Sequence, residues 1–137
     1  MQVGKFTLDI SKFGEKAVKN AELVVKKIGL DMHSRIVQRC PVETGRLRAN
    51  CQINIDSNPG TTTTDTDKHG GPTIAKNKPV VEQFKLGSSI VIFNNLEYVI
   101  PIEFNGHSKL QAPQGMFRIT FLEVANRVGA YAAEVNR

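Results

Sequence analysis

The stretch IVQRCPVETGRLRANCQINID, residues 36–56, contains the change of hydrophobic period from which the fold can be predicted. Before it, apolar residues recur every three or four positions over residues 11–40, the pattern of one face of an amphipathic helix. Pro41 ends that helix, because it has no backbone N–H and its ring clashes with the preceding turn. After Gly45, apolar and polar residues alternate over residues 46–56, the pattern of a half-buried strand. We therefore expect a long N-terminal helix, a tight turn and then a strand.

A low-complexity segment follows this strand. Residues 57–79 are dominated by Gly, Pro, Thr and Asp, which predicts a flexible or protruding loop inserted into the domain. Pro79 suits the first position of a short helix over residues 80–85. Residues 88–93, SSIVIF, predict a second strand, and the continuous apolar run over residues 90–93 indicates that both of its faces are covered.

The C-terminal third predicts a second helix. Residues 97–104 are either an edge strand or a short irregular helix, because Pro101 cannot join the ladder of a central strand. From Met116 onward apolar residues step by three and four, which favours a helix, while the alternation over residues 116–122 leaves a strand open there. The order of elements predicts a single α+β domain over residues 1–137. Its N-terminal and C-terminal helices would pack on a small antiparallel sheet.

The positive charge is concentrated near the N-terminus. The 137 residues hold 18 Lys+Arg and 13 Asp+Glu, a net charge of +5, and residues 1–50 contain the whole surplus. The basic face of the long helix is either solvated or in contact with nucleic acid or with an acidic ring formed by a partner protein. No aromatic residue interleaves with it, so base stacking is not predicted. The lysines that fall on the polar side of the long helix are Lys12, Lys16, Lys19, Lys26 and Lys27.

Motifs that carry catalysis are missing from the sequence. There is no GxSxG, P-loop, GxGxxG, HExxH or CxxC. His33 falls on the polar side of the long helix, and His69 lies beside Asp65 and Asp67 without the spacing of a calcium loop. We expect no enzyme activity, no metal and no cofactor.

Two cysteines flank the turn that follows the long helix. With neither a signal-like N-terminus nor a long apolar span, we expect a reducing cytosol, free thiols and no membrane contact. Cys40 and Cys51 come close if helix and strand pack, and we interpret them as two small buried residues.

Two motifs group polar residues and glycines around the predicted ends of the sheet. The first is PVETGRLR, residues 41–48. The second comprises NNLEY at 94–98, IEFNGHS at 102–108 and QAPQGMFRIT at 111–120. Such groups suit a joint between proteins better than a ligand pocket. In this order and spacing the motifs resemble those of the neck or tail-completion (head–tail connector) proteins of tailed bacteriophages, over residues 12–56 and 86–128.

The resemblance implies a structural virion protein without catalysis. Copies would form a homo-oligomeric ring in the neck between head connector and tail, assembled in the bacterial host cytoplasm and surrounding the DNA channel. Its partners would be adjacent head-completion or connector proteins, tail-tube or tail-terminator proteins, and the passing DNA. The alternative is a nucleic-acid-binding protein that uses the lysine face of the long helix.

A ring closed by one repeated interface needs two different, complementary surfaces on each subunit. We expect Arg46 and Arg48, on the polar strand face, to pair with a neighbour's Glu97 or Glu103, because a guanidinium binds a carboxylate in bidentate fashion. Tyr98 and Phe104 belong either to the joint or to the core. The further interface candidates are His107, Gln111, Pro113, Met116 and Arg118.

Overall fold

The computed structural model describes residues 3–104 and 115–136, with side chains of the first helix described from Val18 onward. It confirms an α+β fold of helices around a small antiparallel sheet. The elements are α1 (Val3–Arg39), α2 (Arg46–Ala49), β1 (Gln52–Ile55), α3 (Gly71–Glu82), β2 (Ile90–Phe93), α4 (Val99–Phe104), α5 (Phe117–Ala125) and α6 (Val128–Val135).

Helix α1 is the element against which the others pack. Its 37 residues extend about 55 Å at 1.5 Å per residue. It contacts α2, α3, α5 and α6, and near its end Ile36 and Val37 are fully buried in the core. Gly29 lets β2 approach, because a Cβ there would lie 3.1 Å from Ile90 Cδ1. His33, predicted on the polar side of this helix, is instead buried in it, with Nε2 2.8 Å from the carbonyl oxygen of Cys51.

Among the residues that the structure describes, the sheet has two strands. β1 and β2 pair antiparallel from Gln52 opposite Phe93 to Ile55 opposite Ile90. A two-stranded sheet this short is only marginally stable in isolation, so it depends on packing against the helices. Asn77 of α3 accepts a hydrogen bond from the backbone N–H of Ile53 over 3.0 Å and so joins helix to strand. In β2 Phe93 is buried and the other three residues are half-buried, so the predicted cover on both faces of this strand is partial.

The strand predicted over residues 46–56 is shorter than expected. Its first residues form the single turn α2, and β1 begins at Gln52. Gly45 has φ +89° and redirects the chain, after which the backbone N–H of Ala49 donates to the Gly45 carbonyl. In this turn Leu47 and Arg48 are both buried, whereas strand alternation would have placed them on opposite faces.

Other parts of the chain also form helices where the sequence pattern predicted a loop or left the structure open. The predicted loop ends at Gly70, because α3 begins at Gly71 with Pro72 in its first turn and continues through Pro79. Residues 97–104 contain helix α4 rather than a strand. The predicted C-terminal helix is two helices, α5 and α6, interrupted at residues 126–127.

We predict that Gly45→Ala lowers the free energy of unfolding by about 2–4 kcal/mol, because it combines backbone strain with a clash. A Cβ on Gly45 would lie 2.6–2.8 Å from the backbone of Asp67. Gly60→Ala is the matched control: its φ is also positive, at +74°, but no atom lies within 4 Å of its Cβ position. Urea denaturation should show a loss of only about 1 kcal/mol for the control. Equal losses in the two variants would contradict the clash.

Candidate assembly surfaces

The first motif folds back on the chain segment that follows β1. Residues 57–70 have no regular structure but are tied to the turn around Gly45, whose carbonyl accepts from the backbone N–H of Asp67 over 2.9 Å. Arg46 Nε donates to the carbonyl of Thr63 over 3.3 Å. The motif therefore holds residues 57–70 against the end of α1.

Arg48 lies inside this arrangement. Its side chain is 8% exposed and donates to the carbonyls of Lys68 (2.7 Å), Gln38 (3.3 Å) and Cys40 (3.1 Å). The prediction that Arg46 and Arg48 project from a polar strand face is wrong, because both lie on α2 and bond within their own chain. Arg48 cannot reach a neighbour's carboxylate without leaving three carbonyl partners.

Asp67 fixes the start of α3. Its carboxylate accepts from the backbone N–H groups of His69 (3.0 Å), Gly70 (2.8 Å) and Thr73 (2.9 Å), and from the Thr73 hydroxyl (2.6 Å). Burial opposes the charged form and by itself raises the pKa of Asp67, but these hydrogen bonds, led by the Thr73 hydroxyl, hold the pKa at about 2. Asp67 therefore caps the start of α3. The described residues contain no cluster of three or more His, Cys, Asp or Glu suited to a metal ion.

The second motif is organised in the same way. Glu103, at the end of α4, is 4% exposed and accepts from the backbone N–H groups of Met116 (2.6 Å), Phe117 (3.0 Å) and Arg118 (2.8 Å) at the start of α5. Gly115 has φ +81°, and a Cβ there would lie 2.7 Å from two oxygens of Glu103.

Glu103 is held as a carboxylate within its own chain. Burial raises its pKa, but the three N–H donors of α5 and the Arg118 side chain outweigh burial and lower it. Arg118 Nε lies 3.2 Å from a carboxylate oxygen of Glu103, and its Nη2 donates to the Glu103 carbonyl. Glu103 therefore joins α4 to α5 and does not present its charge to a neighbouring subunit.

The two joined helices expose an apolar surface, which we name the α4–α5 patch. Its members are Ile100, Phe104, Phe121 and Leu122, with 58–60% of each residue exposed, and the side chain of Arg118. Ile100 and Phe104 are four residues apart and so share a face of α4. The Arg118 guanidinium carbon lies 4.5 Å from the Phe104 ring centroid, a cation–π contact.

An apolar groove adjoins this patch. It encloses about 320 Å³, and Phe121 belongs both to it and to the α4–α5 patch. Its lining residues come from three elements: Val25, Ile28, Gly29, Met32 and Ile36 of α1, Ile90 and Ile92 of β2, and Phe117 and Phe121 of α5.

A larger cleft lies between α1, α3 and α6. It encloses about 740 Å³ and has apolar residues such as Leu30, Ile74 and Val135 along it, with Lys78 and Glu82 among its charged lining residues. None of the members of the α4–α5 patch contributes to it.

The lysine face of α1 is divided between solvent and this cleft. Lys19 is exposed, whereas Lys26 and Lys27 are half-buried and line the cleft. Lys27 forms an ion pair with Glu134 of α6. The side chains of Lys12 and Lys16 lie outside the described residues.

The remaining interface candidates fall in three groups. Glu97 and Tyr98 are exposed, and Met116 is fully buried in the core, so it is not available to a neighbour. His107, Gln111 and Pro113 lie outside the described residues. The interface candidates predicted from the sequence did not include Ile100, Phe121 or Leu122, which the structure exposes. Leu122 lies off the apolar stripe of its helix, so the helical period gave no signal for it.

Comparison with known families gives a match. The family model HK97-gp10-like, described as "Bacteriophage HK97-gp10, putative tail-component", matches residues 4–104, well over half of the chain. A search of curated proteins and a search of solved structures each found no match. In residues 3–104 and 115–136, no helix combines the length and apolar character needed to cross a bilayer.

The Asp67 cap predicts a specific loss of stability in acid. Because folding lowers this pKa from 3.8 to about 2, the carboxylate stabilises the fold above about pH 4, and the contribution disappears as pH falls toward 2. We expect Asp67→Asn to lower the free energy of unfolding at pH 7 by about 1–3 kcal/mol. The difference in free energy of unfolding between this variant and wild type should become smaller between about pH 4 and pH 2. Urea denaturation at a series of pH values measures it.

Asp65→Asn provides the control for this measurement. Asp65 is two residues away, but its side chain is 65% exposed and its ion pair with Lys76 spans 3.5 Å. This variant should stay within about 0.5 kcal/mol of wild type at every pH. If the difference in free energy of unfolding between Asp67→Asn and wild type does not change with pH, the role of the Asp67 carboxylate as the cap of α3 is contradicted.

Proposed function

We propose a ring-forming role in the phage neck for this chain, which belongs to the HK97-gp10-like family of bacteriophage tail components. A tail component is part of the virion and contacts other phage structural proteins. In our proposal, copies form a homo-oligomeric ring between head connector and tail, around the DNA channel. Its neighbours are the head-completion or connector protein on one side and the tail-tube or tail-terminator protein on the other.

The observation on which the proposal rests is the α4–α5 patch. Its four large apolar side chains are each more than half exposed, although the protein has a well-filled core. The α4 and α5 residues adjoin through Arg118, which lies over the Phe104 ring and lines one surface pocket with Phe121 and Leu122. Exposed apolar surface of this kind marks interaction sites in soluble proteins. Arg118 adds a cation beside the aromatic ring of Phe104, and Arg and aromatic residues are enriched at such interfaces.

A closed ring requires a second, different surface. We propose the cleft between α1, α3 and α6, because the patch residues do not contribute to it and it combines apolar residues with charged ones. Glu82 is exposed and supplies a carboxylate that Arg118 of a neighbour can approach. Tyr98 and Glu97 are exposed next to α4 and extend the patch. The interface roles of His107, Gln111 and Pro113 stay predictions.

Charge supports DNA passage more than tight DNA binding. Lys19 is exposed, but Lys27 is paired with Glu134 and Lys26 lines the cleft, which leaves fewer cations for phosphate on this face. A ring around DNA needs only a weakly attractive wall, because the DNA must move through it. The alternative of a dedicated nucleic-acid-binding protein is therefore the weaker of the two.

The ring can be tested with Leu122→Asp. Leu122 is 60% exposed, so the substitution leaves the fold intact and places a charge in the proposed interface. We expect wild-type protein to form a defined oligomer by native mass spectrometry and a ring by electron microscopy. The variant should weaken subunit association at least about tenfold while its unfolding temperature stays unchanged.

Leu86→Asp is the matched control, because Leu86 is 43% exposed and lies outside both proposed surfaces. It should assemble like wild type. In phage particles, antibody labelling should mark the head–tail junction. A wild-type protein that stays monomeric at high concentration and leaves the junction unlabelled would overturn the proposal.

A further inference from the structure

We propose that Cys40 and Cys51 are a modification site at which one intrachain disulfide forms. The two Sγ atoms lie in direct contact, 3.0 Å apart, with one thiol donating to the other. Both residues are buried, at 2% and 0% exposure. The chemistry depends on this pair and its surroundings, and only its timing, after a virion leaves the reducing host, rests on the proposed function.

The surroundings favour a negative charge on one sulfur. Arg48 is buried. Within the described part of the chain its Nε has no hydrogen-bond partner, and no carboxylate lies within ion-pair distance of its guanidinium. Its other donors meet only neutral carbonyls, including that of Cys40 itself. A buried cation without an anionic partner is costly, and a thiolate nearby would offset that cost.

Cys51 is the sulfur that these contacts stabilise. The Asn94 side-chain amide donates to Cys51 Sγ over 3.5 Å, and the Cys40 thiol is its closest polar contact. The hydrogen bond from Cys40 lowers the pKa of Cys51, helped by Asn94 and the charge of Arg48 and opposed by burial. The same pairing raises the pKa of Cys40, which stays the protonated partner. Thiolate character determines which cysteine attacks first.

The reaction needs an oxidant, and a small-molecule disulfide such as oxidised glutathione supplies it. The Cys51 thiolate attacks one glutathione sulfur and releases the other half as a thiolate, leaving a mixed disulfide on Cys51. Cys40 then loses its proton and attacks Cys51 Sγ, which releases the second glutathione thiolate. In total the two protein thiols lose two electrons and two protons, and one glutathione disulfide is reduced to two thiols.

The disulfide would join two residues of the hydrophobic core. It closes the chain between the end of α1 and the residue before β1, across a separation of 11 positions that contains the Gly45 turn and α2. Arg46 and Arg48, which hold residues 57–70, lie within the closed loop. A crosslink there restricts the unfolded chain and so stabilises the folded one.

The experiment measures the disulfide equilibrium with purified protein. Native wild-type protein, and protein refolded from urea in the same buffer, are equilibrated with reduced and oxidised glutathione, then alkylated and weighed by intact-mass spectrometry. The refolding arm gives the oxidant access to the buried thiols. We expect an intrachain disulfide, two hydrogens lighter, with an effective thiol concentration at least about tenfold above that of the urea-unfolded chain. The oxidised protein should unfold about 5–15 °C higher, reversibly on reduction.

Serine variants separate the two roles. Cys40→Ser should stop at the mixed disulfide on Cys51, whereas Cys51→Ser should react more slowly, and neither should show the stability gain. The proposal is overturned if both thiols stay free in the native and refolded protein while the unfolded chain oxidises. It is equally overturned if the mixed disulfide is the only wild-type product, or if oxidation lowers the unfolding temperature.

Discussion

The contact of Gly45 with the backbone of Asp67 is the constraint on which most of the fold depends. The Gly45 carbonyl accepts from the Asp67 N–H, and the missing Cβ leaves room for a peptide unit that any other residue would displace. Asp67 then caps the start of α3, and α3 in turn binds β1 through Asn77. A single close approach thus links the end of the long helix to the sheet. Because the described sheet consists of two short strands, this link supplies the stability that a larger sheet would provide.

Glu103 has the role in the second half of the chain that Asp67 has in the first, because it caps the start of a helix. A glycine with positive φ, Gly115, brings two backbone segments together, and a buried carboxylate satisfies the N–H groups that begin the next helix. Both carboxylates have lowered pKa values because backbone donors outweigh the effect of burial. The first helical turn has no intrahelical acceptor for its N–H groups, so each anion fills a requirement that the helix itself creates. The described parts of the two motifs are therefore joints within the chain.

The sequence predicted the parts of the fold that depend on local periodicity. The long helix, the turn at Gly45 and the strand core around Ile53 follow from spacing alone. It failed where a tertiary contact decides the outcome. Alternation over residues 46–56 is compatible with a strand. The helical turn α2 forms instead because it lets Arg48 donate to the carbonyls of Lys68 and Cys40, contacts that the local pattern does not predict. Likewise His33 is buried because the carbonyl of Cys51 lies opposite it.

The same distinction explains why the predicted interface residues had to change. Arginine and glutamate in a polar motif suggest pairing between subunits, but a charge that the fold buries against its own backbone is not available to a partner. Once Arg48 and Glu103 are assigned to internal joints, the exposed apolar residues that those joints position become the candidates for assembly. Ile100 and Leu122 belong to no sequence motif, because an apolar interface requires only that apolar side chains be exposed next to one another. Glu103 fixes α5 against α4 and so determines where those side chains lie. In the proposed ring, this motif would therefore contribute to assembly without touching the neighbour.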